Sequence, residues 1–377
     1  MGENSSAVLR RERSVNAALA DIGGLLVPAA GSAARAGAYE QLAVEDVNAI
    51  VAMAGRAPSV HNTQPWHFRL RHGALEVLAD PSRQLRVLDP AGRELLISCG
   101  AAVFGARLGM RSRGRVPQVW LRPDLEQPRL AAQLVPAGLA PLSRLEAEMI
   151  VAVPHRHTHR GPFAPEPVAP RLLSALCTDA VAEGCQLVLV SDPDVVRDLG
   201  GLVTKAAAAQ RALPNLQAEL TRWLRHPADE ARDGIPADAR PETDRHVQRA
   251  ALSSRSARHS WPDPRPDSRL PGRSFALPGT ELSGGGYAAA TAVLTTPADT
   301  PADWLRAGQA LHRLLLRAAA RWVFAALQSE PLEVPRCRRD VRSLLALDGY
   351  PQMLIQFGRA NTTRPTPRRP VSELLIP

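Results

Sequence analysis

The run Ala57-Pro58-Ser59-Val60-His61-Asn62-Thr63-Gln64-Pro65-Trp66 gathers the most chemistry in the smallest space. Pro58 and Pro65 fix the backbone at its two ends, and small polar side chains lie between them. Such a turn presents hydroxyl, amide and free backbone N–H groups to a ligand. A heteroaromatic ring with alternating donors and acceptors suits that array. A self-capped loop that binds nothing has the same composition. Trp66 reads as core before it reads as a stacking partner.

A second group is the alternation His155-x-His157-x-His159. On a strand the three imidazoles would face one way, and imidazoles suit zinc or copper. No carboxylate or cysteine stands close in sequence to complete a site, so no metal is expected. The chain has no G-x-S-x-G, no H-E-x-x-H and no P-loop lysine.

The elements that must position these groups follow from periodicity. Val47, Ile50, Val51 and Ala54 fall on one face of a helix over 42–56, closed by Gly55 and Pro58. Alternating runs at His67–Leu70 and Leu75–Ala79, split by His72-Gly73, predict a strand pair. A helix is expected over 92–112 and a short strand at Val119–Leu121. A similar order then restarts, with a helix over 170–183, a strand at Cys185–Val190 and a helix over 194–211. It continues with a strand at Tyr287–Thr295, a longest helix over 303–327 and a last strand at Gln352–Phe357. On that longest helix Leu311, Leu314, Leu315, Ala318 and Trp322 would share a face. Residues 223–280, rich in Arg, Asp, Pro and Ser, interrupt the pattern as a lid or a disordered insert.

Composition narrows the classes. The 377 residues are 45% hydrophobic and 22% charged, as in a soluble globular protein. No stretch offers a spanning helix of about 18 apolar residues, so no membrane role is expected. The net charge of +9 is almost all arginine, with Lys205 the lone lysine. Aromatics are only 4%, too few for base-stacking platforms, so nucleic acid is not an expected partner. Cys99, Cys177, Cys185 and Cys337 form no CxxC pair and read as reduced thiols of a cytoplasmic protein. Residues 1–40 read as a poorly ordered extension. Its basic start and apolar run faintly imitate a signal peptide, but Asp21 and Arg35 interrupt them.

The turn at 57–66 closely resembles the flavin-contacting turn of the nitroreductase superfamily, above all its Acg-type branch. Further segments agree with that branch in the same order. They are Arg93-Glu94-Leu95-Leu96-Ile97-Ser98-Cys99-Gly100-Ala101-Ala102, Arg156-His157-Thr158-His159-Arg160-Gly161-Pro162-Phe163, and Leu294-Thr295-Thr296 with Asp299, Trp304-Leu305 and Gly308-Gln309-Ala310-Leu311. Gly349-Tyr350-Pro351-Gln352-Met353-Leu354 and Pro367-Arg368-Arg369-Pro370 complete the set. The likeness spans about 42–375. Three residues depart from it: Gln356 stands where the branch usually has arginine, and Trp322-Val323 where Gly-Leu is expected.

The resemblance implies an α+β, nitroreductase-like fold, internally duplicated so that one chain mimics the usual homodimer. The halves would be 41–150 and 151–377. It further implies one FMN per chain. Arg156, Thr158, Arg160, Arg368 and Arg369 would hold the phosphate, since guanidinium forks bind a dianion by charge-assisted hydrogen bonds. A solvated tail is the other reading of Arg368-Arg369. Ser59, His61, Asn62 and Gln64 would surround the ring or the ribityl chain. The implied activity is electron transfer from NAD(P)H to a nitroaromatic, quinone or similar small acceptor, with no catalytic side chain assigned. The alternative is an FMN-sequestering stress protein without turnover. The chain would be a monomer, itself a pseudo-dimer, or a weak dimer.

Overall fold

Val47, Ile50, Val51 and Ala54 are buried along one side of helix α1 (Val44–Ala54), as their spacing requires. The strand pair follows as β1 (Trp66–Arg71) and β2 (Ala74–Ala79), antiparallel with Trp66 opposite Ala79. Helix α2 (Arg93–Ser112) comes next, then β3 (Arg115–Leu121), β4 (Leu130–Leu139) and helix α3 (Arg144–Ala152). The computed structural model describes residues 42–122, 124, 126–226, 229–236, 289–360 and 366–377. The extension at 1–40 and most of the 223–280 insert lie outside the described residues.

The second round begins with α4 (Pro170–Ala182), β5 (Gln186–Val190), α5 (Pro193–Arg211) and α6 (Pro214–Arg222). Short parallel strands β6 (Leu224–Arg225) and β7 (Ile235–Pro236) stand at the edge of the insert. After it come β8 (Ala290–Thr296), α7 (Pro301–Ala319), β9 (Val323–Gln328), α8 (Glu330–Glu333), α9 (Pro335–Leu344), β10 (Tyr350–Arg359) and α10 (Val371–Leu374).

The two larger sheets share one topology. The first has strand order β1-β2-β4-β3 and the second β5-β8-β10-β9. In chain order each runs first, second, fourth, third, and every neighbouring pair is antiparallel. In each, the long helix α2 or α7 falls between the second and third strands. The fold is thus α+β, with the same order of elements repeated.

The long helices α2 and α7 join the halves. An added Cβ at Gly100 would lie 2.8 Å from the backbone carbon of Leu305, and one at Gly308 would lie 2.7 Å from the backbone nitrogen of Ala101. Two glycines therefore let the backbones touch. Leu305 of α7 sits in the core of the first half, and Ile97 of α2 in that of the second. The tail also crosses over: Leu374 is buried in the first core, and Ile376 N–H donates to Phe68 O at 2.8 Å.

The predicted helix over 303–327 is corrected. It stops at Ala319, and Val323–Gln328 is a strand that pairs with β10. Trp322 is in the left-handed region, at φ 55°, so it turns the chain instead of extending the helical face. That conformation favours glycine, which is the residue the resemblance led one to expect there. Strands β4, β6 and β7 and helices α3, α6, α8, α9 and α10 were not anticipated. Trp66 is fully buried, as expected.

Candidate functional site

Between Ser59 and Gln64 the chain enters the left-handed region three times, at His61 (φ 45°), Asn62 (φ 55°) and Gln64 (φ 49°). Side chains that carry a Cβ adopt it only when their surroundings hold them there. The surroundings here are hydrogen bonds. Gln64 N–H donates to Ser59 Oγ at 3.0 Å, and Val60 N–H to Ser98 Oγ at 3.1 Å. Ser98 in turn donates to Glu94 O within α2.

Asn62 and Gln64 clamp three remote segments together. Asn62 Nδ2 donates to Gly234 O at 2.9 Å and to Pro367 O at 3.1 Å, while its Oδ1 accepts from Arg368 at 2.8 Å. Gln64 Nε2 donates to Arg232 O at 2.8 Å, and its Oε1 accepts from Arg369 N–H at 2.9 Å. Gly234 N–H donates back to Asn62 O at 3.1 Å. Arg83 bridges Thr63 O and the Asp233 carboxylate, which Arg225 also grips. These arginine hydrogen bonds hold the Asp233 carboxyl below its usual range against the opposing effect of burial. The segment Arg232–Pro236 is therefore pinned on the turn. The side-chain amides of Asn62 and Gln64 face protein partners, so both residues organise the turn.

Beside it lies a concentration of positive charge. Arg156 is buried, and its guanidinium donates to Arg56 O at 3.0 Å. Arg368 is half-buried, but its Nε is sealed from solvent. The Nε atoms of both lack a hydrogen-bond partner, and neither side chain has a carboxylate partner among the described residues. Burial pulls the Arg156 guanidinium down to about 10, helped by the charges of Arg56 and Arg160. Burial also pulls Arg368 well below its ordinary value, followed by the charges of Arg156, Arg56 and Arg160. An unpaired charge away from water costs several kcal/mol, on the order of the penalty for each ion of a buried pair. An anion placed among these groups would remove that cost.

His312 of α7 borders the cluster. It is fully buried, its Nδ1–H donates to Ala101 O at 2.7 Å, and its Nε2 has no partner. Burial, then the Arg156 charge, pull it down to about 3, so it is neutral at ordinary pH.

The predicted site residues thus separate. Arg156, Arg160 and Arg368 come together, and Thr158 bridges to Ala325 on β9 in the same stretch. Arg369 points elsewhere. Its guanidinium reaches Glu373 Oε2 at 3.2 Å, Glu373 O at 2.9 Å and His67, so it fastens the tail to β1. Sequence reasoning missed Arg56 and His312. Arg56 directly precedes the 57–66 turn, which was the available signal, whereas His312 gave none. His155, His157 and His159 do not lie on a strand; each packs on an aromatic ring. His155 stacks on Trp322 with centroids 4.8 Å apart, His157 packs on Phe324 at 4.4 Å and His159 on Phe163 at 4.7 Å. Among the described residues no group of His, Cys, Asp or Glu is arranged to hold a metal.

An α+β fold of paired antiparallel sheets thus carries a cluster of arginines, two with a sealed and unpartnered Nε, beside the 57–66 turn. No family model matches the chain. It is 32% identical over 347 residues to "Putative NAD(P)H nitroreductase Rv3131" of Mycobacterium tuberculosis strain H37Rv, covering 88% of this chain and 91% of that one. It is 27% identical over 336 residues to "Putative NAD(P)H nitroreductase acg" of the same strain, covering 87% and 94%. Among solved structures, it is similar to the FMN-dependent nitroreductase NfnB of Mycobacterium smegmatis in complex with NADPH. That likeness is 19% identical with TM-score 0.35, over 61% of this chain and 97% of that one. The chain belongs to the nitroreductase superfamily and is Acg-like.

Proposed function

We propose that the chain binds one FMN, with its phosphate among Arg56, Arg156, Arg160 and Arg368 and its ring beside the turn at Ser59–Gln64. The observation that carries this reading is the pair Arg156 and Arg368, each with a sealed, unpartnered Nε and no carboxylate partner among the described residues. A phosphate dianion supplies both the charge and the acceptor oxygens such guanidinium groups call for. The neutral Nε2 of His312 beside the cluster is an acceptor and suits a ribityl hydroxyl, not the phosphate. Asn62 positions Arg368 through its Oδ1, and Gln64 holds the tail in place. When bound, FMN supplies the redox chemistry that would carry electrons from NAD(P)H to a nitroaromatic, quinone or similar acceptor.

The halves of this site come from residues 41–150 and 151–377, so one chain would suffice as a functional unit. Free thiols at all four cysteines suit a reducing cytoplasm. A second reading has a specific observation in its favour. The Arg232–Pro236 segment lies hydrogen-bonded across Asn62 and Gln64, where it could limit access of a nicotinamide to the flavin. The protein would then hold FMN without turnover.

Two measurements test these readings. Reconstituted protein should carry one FMN per chain and prefer it over riboflavin; two FMN or none would defeat the site. Steady-state NAD(P)H oxidation with a nitro or quinone acceptor should be observed; a holoprotein that binds FMN but oxidises no NAD(P)H favours sequestration.

A further inference from the structure

A second cationic concavity lies away from this site, between α4, the end of α7 and the outer ends of β9 and β10. It has a volume of about 280 Å³ and is lined by Arg171, Arg317, Arg321 and Arg359 over an apolar floor that includes Leu172 and Val323. No carboxylate lines it among the described residues. The volume is close to the roughly 300 Å³ at which small-molecule pockets begin. Arg317 is five residues beyond His312 on α7, about 140° further round a helix of 3.6 residues per turn. The cleft therefore opens on a different flank of α7 from the buried arginine cluster.

Its four guanidinium groups are not equally engaged. Arg321 reaches Glu148 Oε2 at 2.7 Å. Arg317 is 3.7 Å from Asp179 Oδ2, a carboxylate already taken by Arg313 at 2.9 Å. Arg171 and Arg359 have no side-chain hydrogen bond or ion pair among the described residues. Two unengaged guanidinium groups, on different elements, thus converge over an apolar floor with a third only loosely held. Arginine forks on separate elements suit the several oxygens of one phosphate, and the floor suits an organic body attached to it.

We propose that this cleft is a second anion site that takes an organic phosphate ester. Arg171 and Arg359 bind the phosphate, Arg317 swings from Asp179 to join them, and Leu172 and Val323 contact the organic portion. The site goes beyond the flavin reading and does not depend on it.

Phenyl phosphate is the probe. Titrated calorimetrically into the full chain with saturating FMN, which fills the arginine cluster, it should bind once per chain; without FMN any additional binding should be the part that FMN competes away. Inorganic phosphate should bind at least tenfold more weakly, since it leaves the apolar floor uncovered. Arg171→Ala with Arg359→Ala should weaken phenyl phosphate at least tenfold while FMN affinity and the circular dichroism spectrum stay unchanged. Binding abolished by FMN would place the probe in the arginine cluster and overturn the proposal. Equal binding by the double variant, or equal affinity for inorganic phosphate, would also overturn it. Competition by NADPH in the wild-type protein would identify the ester as the dinucleotide's 2′-phosphate arm; full binding in its presence would identify a separate phosphate ester. Either result supports the site.

Discussion

Gly100 and Gly308 occupy the same step of two facing helices, the eighth residue of α2 and of α7, and each presses against the other helix's backbone. An added Cβ at Gly100 would meet Leu305, and one at Gly308 would meet Ile97 and Ala101. Reciprocal contact of this kind is what a two-fold interface between identical subunits produces. Here it is built inside one chain.

That contact leaves no room for a methyl group. Gly100→Ala and Gly308→Ala should each destabilise the fold by about 1–3 kcal/mol or more, because backbone cannot move aside as a side chain can. Gly201 in α5 has nothing within 4 Å of its would-be Cβ. Gly201→Ala should be neutral or stabilising by up to about 1 kcal/mol. Urea midpoints of the three variants check the contrast, and similar values for all three would contradict it.

Arg156→Met should move apo stability and flavin affinity in opposite directions. Removing a buried charge with no carboxylate partner should raise the apo melting temperature, by analogy with the roughly 1–4 kcal/mol gained when apolar groups replace buried ionic ones. FMN affinity should fall roughly 10- to 100-fold, as expected for losing about 1.5–3 kcal/mol of hydrogen bonding to a charged group. Riboflavin, which lacks the phosphate, should bind as before. A variant that melts lower and binds FMN unchanged would make Arg156 a structural residue.

Arg369→Ala should behave differently. Its guanidinium bonds Glu373 and β1 and not the cluster, so the variant should lose about 1–2 kcal/mol of stability. FMN and riboflavin should weaken equally, through a loosened tail. Selective loss of FMN would restore Arg369 to the phosphate site.

Asp299 provides a pH test. Burial works to raise its pKa, but hydrogen bonds from Arg338, Trp304 and Gln352 outweigh that and hold it at about 2. A carboxyl held below its unfolded value stabilises the fold above that unfolded value, and the contribution fades as pH falls through the folded one. Asp299→Asn should therefore lower the urea midpoint at pH 7 and converge with wild type as pH drops from about 4 towards 2. A constant difference across that range would assign the effect to shape and not to charge.

Much of this was legible in the chain. The α1 face, the β1–β2 pair, α2 and the return of a similar order after residue 170 all follow from local periodicity, which depends only on neighbours a few residues apart. The turn at 57–66 was recognisable because its residue types are unusual at that density. The helix expected to reach residue 327 failed for a physical reason. Leu316, Val323 and Phe324 are apolar enough for a buried helix or a buried strand, and such runs carry no period that separates the two. Strand β4 was missed for a related reason: Pro136 and Gly138 interrupt its alternation.

The superfamily, the α+β class and the repeated order of elements were all legible in the sequence. Those properties reside in short motifs and in the spacing of apolar residues. The folded arrangement of the whole chain decided which arginines gather together. Arg368 and Arg369 are adjacent in the chain, yet one joins Arg156 and Asn62 while the other salt-bridges to Glu373. Adjacent side chains on an extended tail leave in opposite directions, and the partner each meets depends on contacts some 300 residues distant, such as the 306 that separate Asn62 from Arg368. It likewise brought Arg56 and His312 to that cluster, where packing and electrostatics between remote segments, and no local pattern, assemble the charge.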